Sequence, residues 1–212
     1  AMIVEPIQGA GGVYPPVDGY LEGIRKLCDD NDALLIFDEV ICGFGRTGKW
    51  FGAQHFGVTP DLMTFAKGVT SGYLPLSGVI VSRNVCDTLE EPDFILRTGY
   101  TYSGHPTSCA AGIANLELME SEALVDRANH VGEQIRTGLE SLQSDGLVES
   151  WRGTGAVYAI EIEQDPMKIR NEIRSMGVIL RPLNTGLAIC PPLTISDEEI
   201  GQVIDAIAEV LK

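Results

Sequence analysis

The chain has 212 residues, 44% of them hydrophobic and 21% charged, with 15 basic against 30 acidic side chains and a formal charge of −15. That is enough chain for one large domain or two small ones. The acidic balance argues against nucleic acid or an anionic membrane surface as a partner, but leaves room for an anionic small molecule, because a local nest of amides holds a phosphate even inside an acidic protein.

Residues 2–5 read as a strand, followed by the glycine-rich loop Gln8-Gly9-Ala10-Gly11-Gly12. Pro15-Pro16 and Asp18 open a helix that runs to about Asn31, and residues 33–38 form the next strand. A loop rich in glycine and aromatics covers residues 43–51, and Pro60-Asp61 leads into a short strand over 62–66. Residues 76–81 form another strand, 95–106 are irregular and polar, and 107–120 and 122–143 carry a helical period. Strands are expected at 147–152 and 156–163, a helix at 166–176, and extended runs at 177–181 and 187–190. A capped helix from Ser196-Asp197-Glu198-Glu199 closes the chain.

Strands alternating with helices imply βαβ units and a parallel sheet. From near residue 122 the pattern changes to that of a smaller α+β domain. The expected division is therefore 1–121 and 122–212. The opening Ala1-Met2-Ile3-Val4-Glu5-Pro6 already looks like a core strand, so a further N-terminal portion is expected before it. No run approaches the roughly 18 apolar residues of a membrane span. Cys28, Cys42, Cys86, Cys109 and Cys190 are odd in number and show no CxxC spacing, which points to buried thiols in a reducing, cytoplasmic compartment.

Two short apolar runs end abruptly in a charged side chain: Leu34 to Phe37 before Asp38-Glu39-Val40, and Thr64-Phe65-Ala66 before Lys67-Gly68. The end of a buried strand is where an open α/β sheet presents its chemistry. An acid at one strand end and a lysine at the next could grip one ring from two sides. Pyridoxal phosphate needs that pair: an anion opposite its pyridine nitrogen and an amine for its aldehyde. Taken singly, each residue has a plainer reading. Asp38 could cap a turn, Lys67 could be a solvated loop lysine, and Arg181 could be a solvated charge on the smaller domain. Glu39 points away from Asp38 and reads as structural. The segment Arg97 to Pro106 ends at a helix start, where amides and hydroxyls would hold an anion or simply cap the helix. His105 reads as a structural hydrogen-bonder, and His55 and His130 show no metal-ligand spacing.

Together these segments resemble the class III aminotransferases, fold-type I pyridoxal-phosphate enzymes often called ω-transaminases. The matching pieces are Glu5 to Gly12, Asp38 to Gly48, Phe65-Ala66-Lys67-Gly68, Thr101 to Pro106, and Arg181-Pro182-Leu183 with Cys190-Pro191-Pro192. The resemblance spans essentially the whole chain and places it as the C-terminal half of such an enzyme: the later part of a large, mostly parallel-sheet domain and a small α+β domain. It implies that Asp38 binds the pyridine nitrogen, Val40 packs on the ring and Lys67 forms the Schiff base. Thr101, with the backbone of Tyr100, would hold the phosphate of a partner subunit's cofactor, which implies a homodimer. Glu5 would be an acid just behind the site. Arg181 matches the arginine that the pyruvate-using branch offers to a keto-acid carboxylate.

Ornithine-type members usually carry Gln where this chain has Ile41, so Ile41, Cys42 and Phe44 fit better the branch that acts on ω-amino acids, diamines, taurine or aromatic amines. The reaction implied is transfer of an amino group from a small amine donor to a keto acid such as pyruvate. An aminomutase, a racemase or an inactive piece lacking the family's phosphate cup stay open on sequence.

Overall fold

The computed structural model describes residues 1–212. The chain divides into two compact units: residues 1–6, 16–44 and 51–122 form the first, and residues 7–15, 45–50 and 123–212 the second. The main division thus falls after Glu122, and two short segments from early in the sequence pack with the later unit. No helix is long and apolar enough to cross a membrane.

In the first unit β1 (Met2–Val4), β2 (Leu35–Asp38), β3 (Leu62–Phe65) and β4 (Gly78–Val81) lie side by side in chain order. The first three are parallel. Helix α1 (Tyr20–Asp30) crosses between β1 and β2 and buries Leu21, Ile24 and Cys28 against Leu35 and Phe37. Their i, i+3, i+7 spacing is one face of a helix. The helix starts later than Asp18, because Gly19 takes a left-handed φ of 77° as its N-cap without any side-chain cap. A short helix α2 (Gly52–Phe56) joins β2 to β3 and was not foreseen from the sequence.

The sheet is mostly parallel, as expected, with β4 the exception: it pairs antiparallel with β3. The link between them, residues 66–77, contains only the short 3₁₀ turn Lys67–Thr70 and no helix to carry the chain back across the sheet, which is how parallel returns are usually made. A seven-residue helix α3 (Arg83–Leu89), also unforeseen, follows β4, and α4 (Pro106–Ser121) packs on the 3₁₀ turn.

The second unit is built on the antiparallel sheet β5 (Ser150–Thr154), β6 (Val157–Glu161), β8 (Gly186–Ile189) and β7 (Arg181–Pro182), in that order. Helices α5 (Leu124–Ser144), α6 (Pro166–Ser175) and α7 (Asp197–Leu211) supply the other half of its core. Val131, Ile135 and Leu139 recur at helical spacing and meet Tyr158, Ile160, Leu187 and Ile207. Gly132 is required there, since a Cβ would sit 2.0 Å from the Gly155 carbonyl oxygen. Asp165 caps α6 by accepting the N–H of Met167 at 2.8 Å, and Ser196 and Glu199 form a capping box on α7. The extended run expected at 177–181 shrinks to Arg181–Pro182, because Gly177 turns at φ 91° and Val178 N–H still bonds back to Ile173.

Candidate active site

Parallel pairing sends the ends of β1, β2 and β3 to one edge of the first unit. The register aligns Val4 with Phe37 and Asp38 with Thr64. Glu5 therefore follows β1 beside Asp38, and Lys67 lies three residues past Asp38's partner Thr64. This carboxyl-terminal edge is where open α/β sheets bind ligands.

Asp38 is half-buried, and its Oδ1 accepts the N–H of half-buried Val40 at 3.0 Å. That bond is a turn closure, so the plainer reading of Asp38 holds for one oxygen, while Oδ2 is left to accept from elsewhere. Glu39 faces the other way and is fully buried. Its oxygens accept the N–H groups of Gly52 at 2.8 Å and Ala53 at 2.7 Å, which tethers the start of α2. Burial raises its carboxyl above the usual carboxylate range, against the opposing pull of those two N–H donors.

Lys67 is exposed and holds a left-handed φ of 46°. A lysine in that region is uncommon, and such strain collects where function demands it. Two contacts hold the turn. Asn115 Nδ2 on α4 donates to the carbonyls of Gly68 at 2.9 Å and Val69 at 3.2 Å. Phe44 closes on Gly68 so tightly that a Cβ there would meet the Phe44 Cβ at 2.9 Å and its ring carbons at 3.2 and 3.3 Å.

Lys67 opens onto a cleft of about 720 Å³ that Tyr73, Tyr100, Ser103 and His105 also line. Asp38, Val40, Glu5 and Thr101 are not on that lining, so the structure gathers Lys67 with Tyr100 in one cavity and places Asp38 and Glu5 on the same sheet edge. Thr101 sits in the turn 101–104 just before α4. The Tyr100 N–H is committed to Ser103 Oγ at 3.1 Å, so an anion here would meet hydroxyls before it met that amide. Arg181 belongs to the second unit, exposed on β7, where it and Ala10, Gly11, Asp165 and Asn184 line a separate cavity of about 500 Å³.

The sequence reading missed Tyr73, Ser103 and Asn115. Only the motif around Thr101 to Pro106 could have flagged Ser103. Nothing in the spacing marks an asparagine 48 residues past the lysine as its turn's anchor.

A family model described as aminotransferase class-III matches residues 1–211. The chain belongs to the class III aminotransferases. It is 40% identical to the diaminobutyrate–2-oxoglutarate transaminase of Halomonas elongata, over 96% of this chain and 48% of that protein. It is 38% identical to the putrescine–pyruvate aminotransferase of Pseudomonas aeruginosa, over 96% of this chain and 47% of that protein. Among solved structures, an amine transaminase from an uncultivated Pseudomonas species in its pyridoxal-phosphate-bound form superposes with a TM-score of 0.94, at 37% identity over 100% of this chain and 51% of that chain. The chain spans about half the length of the curated relatives it matches.

Class III aminotransferases depend on pyridoxal phosphate. The donor set fits that group: an amine on an open cleft and a carboxylate with an oxygen to spare at the neighbouring strand end.

Proposed function

We propose that the protein catalyses transamination, moving an amino group from a small amine donor (an ω-amino acid, diamine, taurine or aryl or alkyl amine) to a keto acid such as pyruvate. The observation that carries this reading is Lys67 itself. It is held at a left-handed φ of 46° beyond the end of β3, and it opens onto the cleft. Backbone strain of about 1–3 kcal/mol is kept only where the surroundings enforce it. Here Asn115 and Phe44 do so.

Bound pyridoxal phosphate supplies an electron-accepting ring and an aldehyde. Lys67 would hold that group through its Nζ, and the same Nζ would serve as the general acid–base that takes up and returns a proton. Asp38 would hold a negative charge at the pyridine nitrogen, which would favour its protonated form. Val40 and Glu5 would help to hold the group, and Thr101 with Ser103 and the Tyr100 segment would receive the phosphate of the partner subunit's cofactor. Arg181 receives the carboxylate of the keto acid through its two-pronged guanidinium.

The same segment favours a homodimer with sites at the subunit interface. Tyr73, Tyr100 and Tyr102 are 80–86% exposed around the cleft, and large apolar surface in the open marks an interaction site.

The test uses the full-length polypeptide with pyridoxal phosphate. An imine absorbance band that borohydride removes, together with alanine formed from pyruvate and an amine, is the expected result, and both should vanish in Lys67→Ala. A band that survives Lys67→Ala would overturn the assignment of the lysine. An intact band without alanine from pyruvate or glutamate from 2-oxoglutarate would turn the reading to an aminomutase or racemase, which needs no second substrate.

A further inference from the structure

Residues 8–14 fold into a tight turn. Gln8 and Tyr14 exchange two backbone hydrogen bonds of 3.0 Å, and the N–H groups of Gly12 and Val13 both bond to the Gly9 carbonyl. The turn is strained: Gly12 sits at φ 143° and the buried Val13 at φ 54°. A Cβ on Gly12 would fall 2.4 Å from the Tyr14 ring, so only glycine fits there. These hydrogen bonds start from Gln8, Gly12, Val13 and Tyr14, which leaves the N–H groups of Ala10 and Gly11 for a ligand.

One side chain clamps this turn. Arg152, on β5, donates from Nε at 2.9 Å and from a terminal nitrogen at 2.6 Å to the same Gly12 carbonyl. Its other terminal nitrogen pairs with Glu161 on β6, and its guanidinium carbon lies 4.1 Å from the centroid of the Tyr14 ring. Arg152 and Glu161 are both largely shielded, with side chains 19% and 18% exposed, so the clamp works in a partly desolvated setting where charge-assisted bonds are strong. The clamped turn is also a wall of the cavity that Arg181 enters, through Ala10 and Gly11.

We propose that Arg152 is a positioning residue for carboxylate recognition. By fixing Gly12 it holds Ala10 and Gly11 opposite Arg181, so that the cavity meets a substrate carboxylate with a guanidinium on one side and peptide N–H groups on the other. The proposal rests on the assignment of Arg181 to the keto acid and extends it to the segment that faces it.

The test measures the full-length enzyme, loaded with pyridoxal phosphate, as Arg152→Met, Arg152→Lys, Tyr14→Leu and Arg181→Ala. The substrates are pyruvate and 1-phenylethylamine, which has no carboxylate. Displacing a positioned group by an ångström costs up to about a hundredfold, and a wall that loosens without collapsing should cost about tenfold. Arg152→Met should raise the KM for pyruvate by about that factor while kcat and the KM for the amine move less than about twofold. Arg152→Lys, which keeps the charge but loses the fork, should recover part of the effect. Tyr14→Leu should shift pyruvate in the same direction by less, and it serves where Arg152→Met fails to fold. Hydrogen exchange at the amides of Gly12, Val13 and Tyr14 should quicken in Arg152→Met without substrate present.

Equal losses for pyruvate and amine, or faster exchange with no change in pyruvate KM, would overturn the proposal. If Arg181→Ala separates the two substrates and Arg152→Met does not, the clamp alone is wrong. If Arg181→Ala leaves pyruvate untouched, the assignment of Arg181 falls and takes this inference with it.

Discussion

The two sheets end their strands differently. In the first unit three parallel strands deliver Glu5, Asp38 and Lys67 to a single edge, because every strand leaves the sheet at the same side. In the second, antiparallel strands alternate direction, and Arg152 and Glu161 are spent on structure, pairing with each other while Arg152 also holds the Gly12 carbonyl, which leaves Arg181 exposed on β7. Parallel pairing collects chemistry at an edge, whereas antiparallel pairing disperses it. Apart from Arg181, the second unit's proposed contribution to function runs through the rigidity of its broad buried core.

If that contrast is sound, removing a charge from the parallel edge should cost activity and spare stability. Asp38→Asn keeps the size of the side chain and one acceptor for the Val40 N–H, but loses the negative charge. Turnover should fall by about 10²–10⁴-fold, the range for a group that controls protonation in the transition state. The midpoint of urea unfolding should barely move. A large loss of stability with a small loss of turnover would mean that Asp38 is only the turn closure at 3.0 Å from Val40.

The second unit should behave in the opposite way. Ile160 on β6 is fully buried among the helices and strands of that core. Truncation to alanine removes apolar burial and leaves a cavity, and should cost about 2–5 kcal/mol in denaturant unfolding. Per-molecule turnover of the folded fraction should stay within about twofold, since no reacting group touches this residue. A selective loss of turnover would break the division of labour.

Much of this was legible in the sequence, for definite reasons. Leu34 to Phe37 is an unbroken apolar run that stops at Asp38, so both the strand and its chemical end could be read. Val131, Ile135 and Leu139 keep helical period, so α5 appeared almost at its true bounds. The antiparallel turn of β4 did not show, because strand direction depends on the length and shape of the link and its four residues look the same either way. Helix α2 is five residues long, too short for a period, and its capping partner Glu39 lies 13 residues earlier. At the site, the types of Asp38 and Lys67 were readable. The left-handed backbone of Lys67 and its anchor Asn115 were not, since both arise from packing between distant segments.

Glu39 sharpens the comparison on the structural side of the first unit. Glu39→Gln leaves one of the two N–H donors of Gly52 and Ala53 facing an amide N–H instead of an oxygen. The cost should be about 1–3 kcal/mol, that of an unsatisfied buried donor. Burial raises the carboxyl in the folded state, so the folded protein holds that proton more tightly than the unfolded chain. Stability from this group is fully present below the unfolded value and is lost as pH rises through the folded one. The gap between wild type and Glu39→Gln should therefore narrow as pH rises above the usual carboxylate range. A gap that widens would show that the two N–H donors outweigh burial.

The smallest expected effect lies at the far end of the same strands. Asp61 sits just before β3, and Oδ2 accepts from Arg25 on α1 at 2.8 Å and from the Leu35 N–H at 2.7 Å. Burial pushes its carboxyl up, but the hydrogen bonds from Arg25 and Leu35 outweigh that and hold it below the usual range. The sign is thus opposite to that of Glu39: stability from Asp61 is present above the unfolded value and is lost as pH falls through the folded one. Asp61→Asn should cost about 1 kcal/mol near neutral pH, the net worth of a hydrogen bond to a charged group after part is kept by the amide. The difference should disappear in acid. Unfolding midpoints of the two proteins between neutral pH and acid give the answer. If the midpoints stay parallel over that range, the carboxylate is not what ties α1 to the start of β3. The amino end of this parallel sheet would then be held by the apolar packing of Leu21 and Ile24 alone.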